Sequence, residues 1–191
     1  MPSLPPRDRT AITLLLDVGL RASEACALRW DRIDDVAATV RVDDGKGHKD
    51  RIVPVHPATI AQLLRDRRQR PLPLPGLGRP GGPSEARQPA PVIHHTATPD
   101  KPISRQQLHR IVSEIGRAIN AHLWPHMLRH TYACECLRLG LSVYDLMHLL
   151  GHDRLDTTVI YLHIQPDELA ERVRAAFGGQ LAATMRLALE A

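Results

Sequence analysis

Seven residues that could together bind and cut a phosphate diester are spread along this 191-residue chain. Arginine presents a planar fork of N–H donors that matches phosphate oxygens. Histidine moves protons near neutral pH, and an activated tyrosine is a nucleophile. The set comprises two arginines, two histidines, a lysine, a tyrosine and one carboxylate: Arg21, Arg129, His126, His152, Lys46, Tyr161 and Glu24.

The pair His126 and Arg129 is predicted to share one face of a helix that begins at Pro125, because residues three apart in a helix are neighbours. The first turn of a helix also presents unpaired backbone N–H groups and the positive end of the dipole, which together favour a phosphate. The alternative is an ordinary exposed helix start, since His-x-x-Arg alone is a common pattern.

Three further candidates lie upstream. Arg21 is expected in the turn between two helices, with Glu24 three residues later in the first turn of the second helix. Lys46 stands between Gly45 and Gly47 in a predicted hairpin turn, from which a long side chain could reach a phosphate. The alternatives are a helix-capping arginine paired with its glutamate, and a solvated turn lysine.

Two candidates lie downstream. His152 follows a predicted helix end, and Tyr161 lies near the end of a short predicted helix, from which it could swing toward a site. The alternatives are a polar helix cap and a tyrosine at the edge of the core. Tyr132 and Tyr144 are interpreted instead as mid-helix packing residues.

A metal site is the main competing chemistry in this region. His122, His126 and His130 are spaced four apart, but Pro125 interrupts a continuous helix between the first two. Position 127 is Met, whereas the zinc-protease pattern needs Glu there. We therefore predict no metal site.

Composition indicates a globular protein. Hydrophobic residues make up 43% of the chain, and its net charge of +4 is compatible with nucleic acid without establishing it. Three cysteines argue against a disulfide framework and favour a reducing compartment. The apolar runs are too short to cross a bilayer, and the N-terminus has no apolar signal region. The sequence thus predicts a cytoplasmic protein with no membrane association.

The periodicities predict an α+β fold that is mainly helical, with a small antiparallel β-hairpin or three-stranded sheet. A proline- and glycine-rich loop at 71–91 lies within the domain, since candidate residues lie on both sides of it. The predicted helices cover 8–18, 23–30, 57–70, 104–121, 125–139, 142–151, 156–161, 166–178 and 180–191, and the predicted strands cover 36–42, 51–55 and 92–93.

With these residues in this order, the chain resembles the tyrosine recombinases of the phage integrase family. Four stretches of the sequence are similar to the Xer-like branch of that family: GLRASEACALRWDRID, GKGHKDRIVPV, PHMLRHTYA and LLGHDRLDTTVIYLH. The similarity extends from about residue 10 to residue 164.

The resemblance implies a role for each candidate. Arg21 and Arg129 would bind the non-bridging oxygens of the scissile phosphate, and His152 would add a third hydrogen bond. Tyr161 would attack phosphorus and form a 3′-phosphotyrosyl bond. Because that bond keeps the energy of the diester, no cofactor would be needed. Three residues would assist: His126 as general base, Lys46 as general acid, and Glu24 as a support for Arg21 and His126.

The resemblance also implies a domain organisation. Residues 1–178 would form the catalytic domain, and 179–191 a tail helix that docks on a neighbouring subunit or on its own domain. The DNA-clamping N-terminal domain usual in the family is absent, which indicates either part of a longer protein or a short variant.

The implied partner is double-stranded DNA, bound by a tetramer of recombinase subunits, with a monomer as the alternative for the isolated domain. The implied activity is site-specific strand exchange, and the proline-rich loop favours an integrase of a mobile element. The alternatives are a DNA-binding or assembly module that does not cut, and relaxation of supercoils in the manner of type IB topoisomerases.

Overall fold

Helices dominate this computed structural model, which describes residues 4–43, 50–69, 89–96, 98 and 100–152. The α+β class predicted from sequence is confirmed, with six α-helices, one short 3-10 helix and a three-stranded sheet in these ranges. The helices are α1 Pro6–Leu16, α2 Ala22–Ala27, α3 Pro57–Arg68, α4 Arg105–Ala118, α5 Pro125–Arg138 and α6 Val143–Leu150, with the 3-10 helix at Trp30–Arg32.

The sheet is antiparallel in the order β1, β2, β3, formed by Ile33–Asp34, Thr39–Val42 and Arg51–Pro54. Side chains alternate in and out along β3, so Val53 is fully buried while Ile52 is exposed. The predicted hairpin is confirmed, although its first strand begins at Thr39, because Ala38 adopts a left-handed conformation with φ 51°.

The prediction of a third strand at 92–93 is wrong. The third strand is β1, and Val92 and Ile93 are core residues between two isolated bridges, Arg29 with Pro91 and His94 with Pro102. An apolar β-branched pair is buried equally well in an irregular segment, so periodicity alone could not distinguish the two cases.

The second helix is shorter than predicted, ending at Ala27 rather than near residue 30. Leu28 is extended, and its carbonyl accepts a hydrogen bond from the Val92 backbone N–H at 2.8 Å. The Trp30 N–H in turn donates to the Ala90 carbonyl at 3.1 Å. Pairing with this distant segment therefore replaces the last helical turn.

Most predicted helix ends are confirmed at the later helices, although α4 ends at Ala118 and not at residue 121 as predicted. Ser104 caps α4 and Ser142 caps α6, each in a reciprocal capping box with the residue three positions later. Pro125 occupies the first position of α5. Gly151 ends α6 with φ 64°, a conformation that costs other residues free energy.

The core is organised around α1, which packs against α3, α4 and α5. Its residues Leu14 and Leu15 are fully buried. A smaller cluster, Ala133 with Leu146 and Leu150, joins α5 to α6. Because burying each leucine is worth about 2 kcal/mol, these contacts hold α1, α5 and α6 in fixed positions relative to one another.

Three predicted helices, 156–161, 166–178 and 180–191, lie outside the described residues, as does most of the loop at 71–91. Among the described helices, none is long and apolar enough to cross a membrane.

Candidate active site

Arg129 is a buried charged residue in the second turn of α5, with a side chain only 3% exposed. Its Nη1 donates to the Gly19 carbonyl and its Nη2 to the Leu150 carbonyl, both at 2.7 Å. The guanidinium thus links α5 to the turn after α1 and to the end of α6. These bonds hold it in one orientation.

Glu24 lies in the first turn of α2 and is also buried. Its carboxylate accepts from the backbone N–H of Arg21 at 2.7 Å and from Nη1 of the same residue at 2.9 Å. Nη1 of Arg129 lies 3.5 Å from Glu24 Oε2. The predicted support of Arg21 by Glu24 therefore has a direct structural basis.

The two arginines converge on one place. Nη2 of Arg21 donates to the Gly151 carbonyl at 2.7 Å, one residue beyond the Leu150 carbonyl that Arg129 bonds. Both guanidinium groups therefore contact the C-terminal end of α6 and share Glu24. The Arg21 side chain is 36% exposed, so this end of the cluster faces solvent.

His152 directly follows that helix end. Its Nε2 lies 3.3 Å from Nη2 of Arg129. Since arginine only donates, Nε2 is the acceptor and the proton of the neutral ring is on Nδ1. Burial, followed by the positive charges of Arg129 and Arg21, lowers the pKa of His152 to about 4. The ring is therefore neutral at neutral pH and presents an Nδ1–H donor.

The remaining predicted residues are placed only in part. His126 is exposed in the first turn of α5, three residues before Arg129 and on the same side of the helix. Lys46 and Tyr161 lie outside the described residues. The structure thus brings together Arg21, Glu24, Arg129 and His152.

Arg51 also belongs to this cluster, and the sequence reasoning missed it. Its Nη1 and Nη2 donate to the two oxygens of Glu24 at 2.9 and 2.8 Å. Its Nε donates to the Leu149 carbonyl at 2.9 Å. A signal existed in the alternation of β3, since Arg51 has the same parity as the buried Val53 and therefore points inward.

The electrostatics of Glu24 follow from these contacts. Burial is the largest single influence and would raise its pKa, but the hydrogen bonds and charge of Arg51, the Arg21 backbone N–H and the Arg129 charge together outweigh burial. Together they lower the pKa of Glu24 to about 2. The carboxylate is therefore ionised at all ordinary pH values.

The interpretation of the two other tyrosines was correct for only one of them. Tyr132 packs against the cluster that joins α5 to α6 and against the turn after α1, where a β-carbon on Gly19 would meet its ring. Tyr144 is 60% exposed in the first turn of α6, with its ring against His148. Apolar neighbours in sequence misled the prediction, because the apolar face of α6 is formed by Leu146 and Leu150 instead.

A cavity of about 250 Å³ lies elsewhere, lined by residues including Trp30, Asp66 and Val92. It contains no member of the arginine cluster. Within the described ranges, no group of three or more His, Cys, Asp or Glu residues is arranged to hold a metal ion. The cluster at the end of α6 is therefore the candidate active site.

Comparisons with known proteins show the family of the chain. The sequence profile described as the phage integrase family matches residues 2–168. The tyrosine recombinase XerA of Pyrococcus furiosus is 31% identical over 170 residues, which cover 89% of this chain and 54% of that protein. The chain spans about half the length of the curated relatives it matches.

Two solved structures show the same fold. A crystal structure of XerA recombinase superposes with a TM-score of 0.69 at 22% identity, covering 90% of this chain and 56% of that one. The Tn1549 transposon integrase, in complex with transposon right end DNA, gives a TM-score of 0.63 at 17% identity, covering 89% and 58%.

Proposed function

This chain belongs to the phage integrase family, and from that membership we propose that it is the catalytic part of a tyrosine-type site-specific DNA recombinase. It cleaves and rejoins DNA strands through a 3′-phosphotyrosyl intermediate. The observation that carries the proposal is the convergence of Arg21, Arg129 and His152 on the end of α6.

The phosphate is bound by donors that are already oriented. Arg129 is fixed by two backbone carbonyls and Arg21 by Glu24 and a third carbonyl, so neither needs to reorganise when charge develops on the phosphate. The Nδ1–H of neutral His152 adds a donor. Donors of this kind, fixed before the reaction, typically contribute about 100- to 1,000-fold each to the rate.

The chemistry is a transesterification. The Tyr161 oxygen forms a bond to phosphorus as the bond from phosphorus to the 5′ oxygen breaks. His126 takes the phenolic proton, and Lys46 supplies a proton to the departing oxygen. The phosphotyrosyl bond retains the free energy of the original diester, so the reverse attack rejoins a strand without a metal or nucleotide.

The partner is double-stranded DNA, and exchange of two duplexes assembles four recombinase subunits. The Tn1549 transposon integrase, which shares this fold, was solved with transposon DNA. We assign the chain to a mobile-element integrase because of the proline-rich insertion at 71–91, between the hairpin and the arginine of α5. The XerA recombinase shares the same fold. The sequence of the recognised DNA therefore decides between integration of a mobile element and the alternative task, resolution of chromosome dimers.

The test is capture of DNA by the chain itself. The protein is incubated with nicked duplexes of randomised sequence. Cleavage near the nick releases a short fragment that carries the free 5′ hydroxyl, and its loss prevents the reverse attack and traps the covalent intermediate. We expect DNA attached through its 3′ end to Tyr161, identified by mass spectrometry and sequenced.

The matched control is Tyr161→Phe, which should form no adduct. Adduct formation by this variant would refute the assignment of the nucleophile. Absence of any adduct with the unaltered chain would refute cleavage and favour a binding module. The captured sequences also distinguish the two tasks. The ends of a mobile element indicate an integrase, whereas a single chromosomal site indicates resolution of chromosome dimers.

A further inference from the structure

Arg51 joins three parts of the candidate site. It is the first residue of β3, it forms a two-bond ion pair with Glu24 on α2, and it donates to the Leu149 carbonyl in the last turn of α6. A β-carbon added to Gly151 would lie 2.8 Å from its Nη1. The guanidinium therefore also packs directly against the turn that precedes His152.

The contacts of Arg51 are directed at Glu24 and α6. Its Nη1 and Nη2 donate to the two Glu24 oxygens and its Nε donates to the Leu149 carbonyl, with the side chain 9% exposed. Arg129 is buried at least as deeply, but Arg21 and Arg129 are the arginines that the family resemblance assigns to the scissile phosphate. An effect of Arg51 on DNA would therefore pass through the groups that it holds.

The charge balance suggests what that effect is. In the described part of the chain, the guanidinium groups of Arg21, Arg51 and Arg129 all lie within 3.5 Å of the Glu24 carboxylate. The guanidinium of Arg51 donates to both carboxylate oxygens, at 2.9 and 2.8 Å. Without it, the buried carboxylate would be neutralised by Arg21 and Arg129 alone and would compete with a phosphate for their charge.

We propose that Arg51 is a positioning residue that neutralises and orients Glu24 and fixes the end of α6, so that Arg21 and Arg129 keep their charge available for the scissile phosphate. This inference rests on the proposed function for its catalytic consequence. Its electrostatic part can be tested separately, because binding of a simple anion requires no cleavage.

The central test is a double-mutant cycle. The rate of covalent adduct formation is measured at a saturating concentration of the DNA sequence recovered by capture. Arg51→Met should lower the rate about 100-fold, since a small misplacement of binding groups has costs of that size. Glu24→Gln should lower it about tenfold through the loss of orientation of Arg21. The double variant should be about tenfold faster than Arg51→Met alone, because the uncompensated carboxylate is gone.

Two further variants serve as controls. Arg51→Lys keeps the charge but loses the two-bond geometry, so its rate should fall between those of the unaltered chain and Arg51→Met. Arg138→Met removes an exposed arginine paired with Glu135 at the other end of α5, and should react at the unaltered rate. A residue with a merely structural role would lower thermal stability and activity together, without rescue by Glu24→Gln.

The second readout is affinity for inorganic sulfate, followed by the NMR signals of the arginine side chains. Arg51→Met should weaken sulfate binding several-fold, and the added Glu24→Gln should restore it. A double variant that is slower than Arg51→Met and binds sulfate no better would overturn the role of Arg51. If the unaltered chain forms no adduct while the sulfate pattern holds, the proposed function fails and the electrostatic role of Arg51 stands.

Discussion

Two buried carboxylates in this molecule have opposite surroundings. Asp66 on α3 faces α1, where it pairs with Arg9 and accepts a hydrogen bond from the Thr10 hydroxyl at 3.2 Å. It also accepts a hydrogen bond at 2.9 Å from the amide of Gln62, one turn earlier on α3 itself. One carboxylate thus meets one guanidinium and two neutral donors. Such a cluster is close to neutral, and it joins two helices.

Glu24 is surrounded by Arg21, Arg51 and Arg129. The same kind of group is here overcompensated by positive charge, beside a histidine that is neutral at ordinary pH. Desolvating three guanidinium groups around one carboxylate is costly for stability. The comparison teaches that a balanced buried ion pair supports the fold, whereas a buried excess of one charge indicates a site for the opposite charge.

The largest expected effect tests the comparison by altering one group in each cluster. Arg129→Lys keeps the charge but loses the planar fork, so adduct formation should fall by about 1,000-fold. Asp66→Asn should leave that rate unchanged and lower the free energy of unfolding by about 2 kcal/mol, because it weakens bonds to a charged partner. Rates come from adduct gels and stabilities from urea denaturation.

The comparison fails if the two effects are exchanged. An active Arg129→Lys would remove the residue from the phosphate site, and a catalytic defect in Asp66→Asn would show that the α1–α3 cluster is not merely structural. Lysine is preferred to alanine at position 129, because alanine would also leave the Gly19 and Leu150 carbonyls without their donors.

The second effect concerns acid stability. The pKa of Glu24 is lowered from 4.5 to about 2 in the folded protein, so its ionised form favours folding above pH 4.5 and this contribution is lost as the pH falls toward 2. The loss amounts to about 3 kcal/mol by linkage. Urea denaturation across this range should show it, and Glu24→Gln should flatten the profile there. An unchanged slope would contradict the buried, overcompensated state of Glu24.

A related effect concerns His152, whose pKa is lowered from 6.5 to about 4. Because the folded protein resists protonation of this ring, stability should decline as the pH falls from 6.5 toward 4. His152→Asn should remove that decline. The loss of stability caused by protonation of Glu24, below pH 4.5, should remain. Identical profiles for both proteins would show that burial and the neighbouring arginines do not hold the ring neutral.

The smallest effect uses two glycines with positive φ. Gly140→Ala and Gly151→Ala should each cost about 1 kcal/mol through the backbone alone. A β-carbon at position 140 meets no described atom within 4 Å, whereas one at 151 lies 2.8 Å from Nη1 of Arg51. Gly151→Ala should therefore cost more stability and also slow adduct formation. Equal behaviour of the two variants would mean that Arg51 does not depend on the turn.

Local signals predicted much of this structure. The capping boxes at Ser104 and Ser142, the proline at 125 and the glycine at 151 each act within a few residues, so the starts of α4, α5 and α6 and the end of α6 follow closely from sequence. The end of α2 did not, because a hydrogen bond between Leu28 and Val92, distant in sequence, determines it. A hydrogen bond between segments that are distant in sequence produces no periodic pattern in the sequence.

The residues of the candidate site likewise include some that the sequence predicted and one that it did not. Arg21, Glu24, Arg129 and His152 were recognised because their order and spacing resemble a family, and the structure brings them together. Arg51 escaped notice because its importance arises from contacts with two other elements. Its inward direction was nevertheless present in the alternation of β3, and a charged residue at a buried strand position requires a partner.

The most direct measurement of the central claim is a crystal structure of the chain with orthovanadate and a nicked duplex recovered by capture. We expect vanadate oxygens within hydrogen-bond distance of Arg21, Arg129 and Nδ1 of His152, with Glu24 still bound by Arg51. Vanadate held elsewhere, with the arginines of the Glu24 cluster turned away from it, would contradict the claim that this excess of positive charge exists to bind the scissile phosphate.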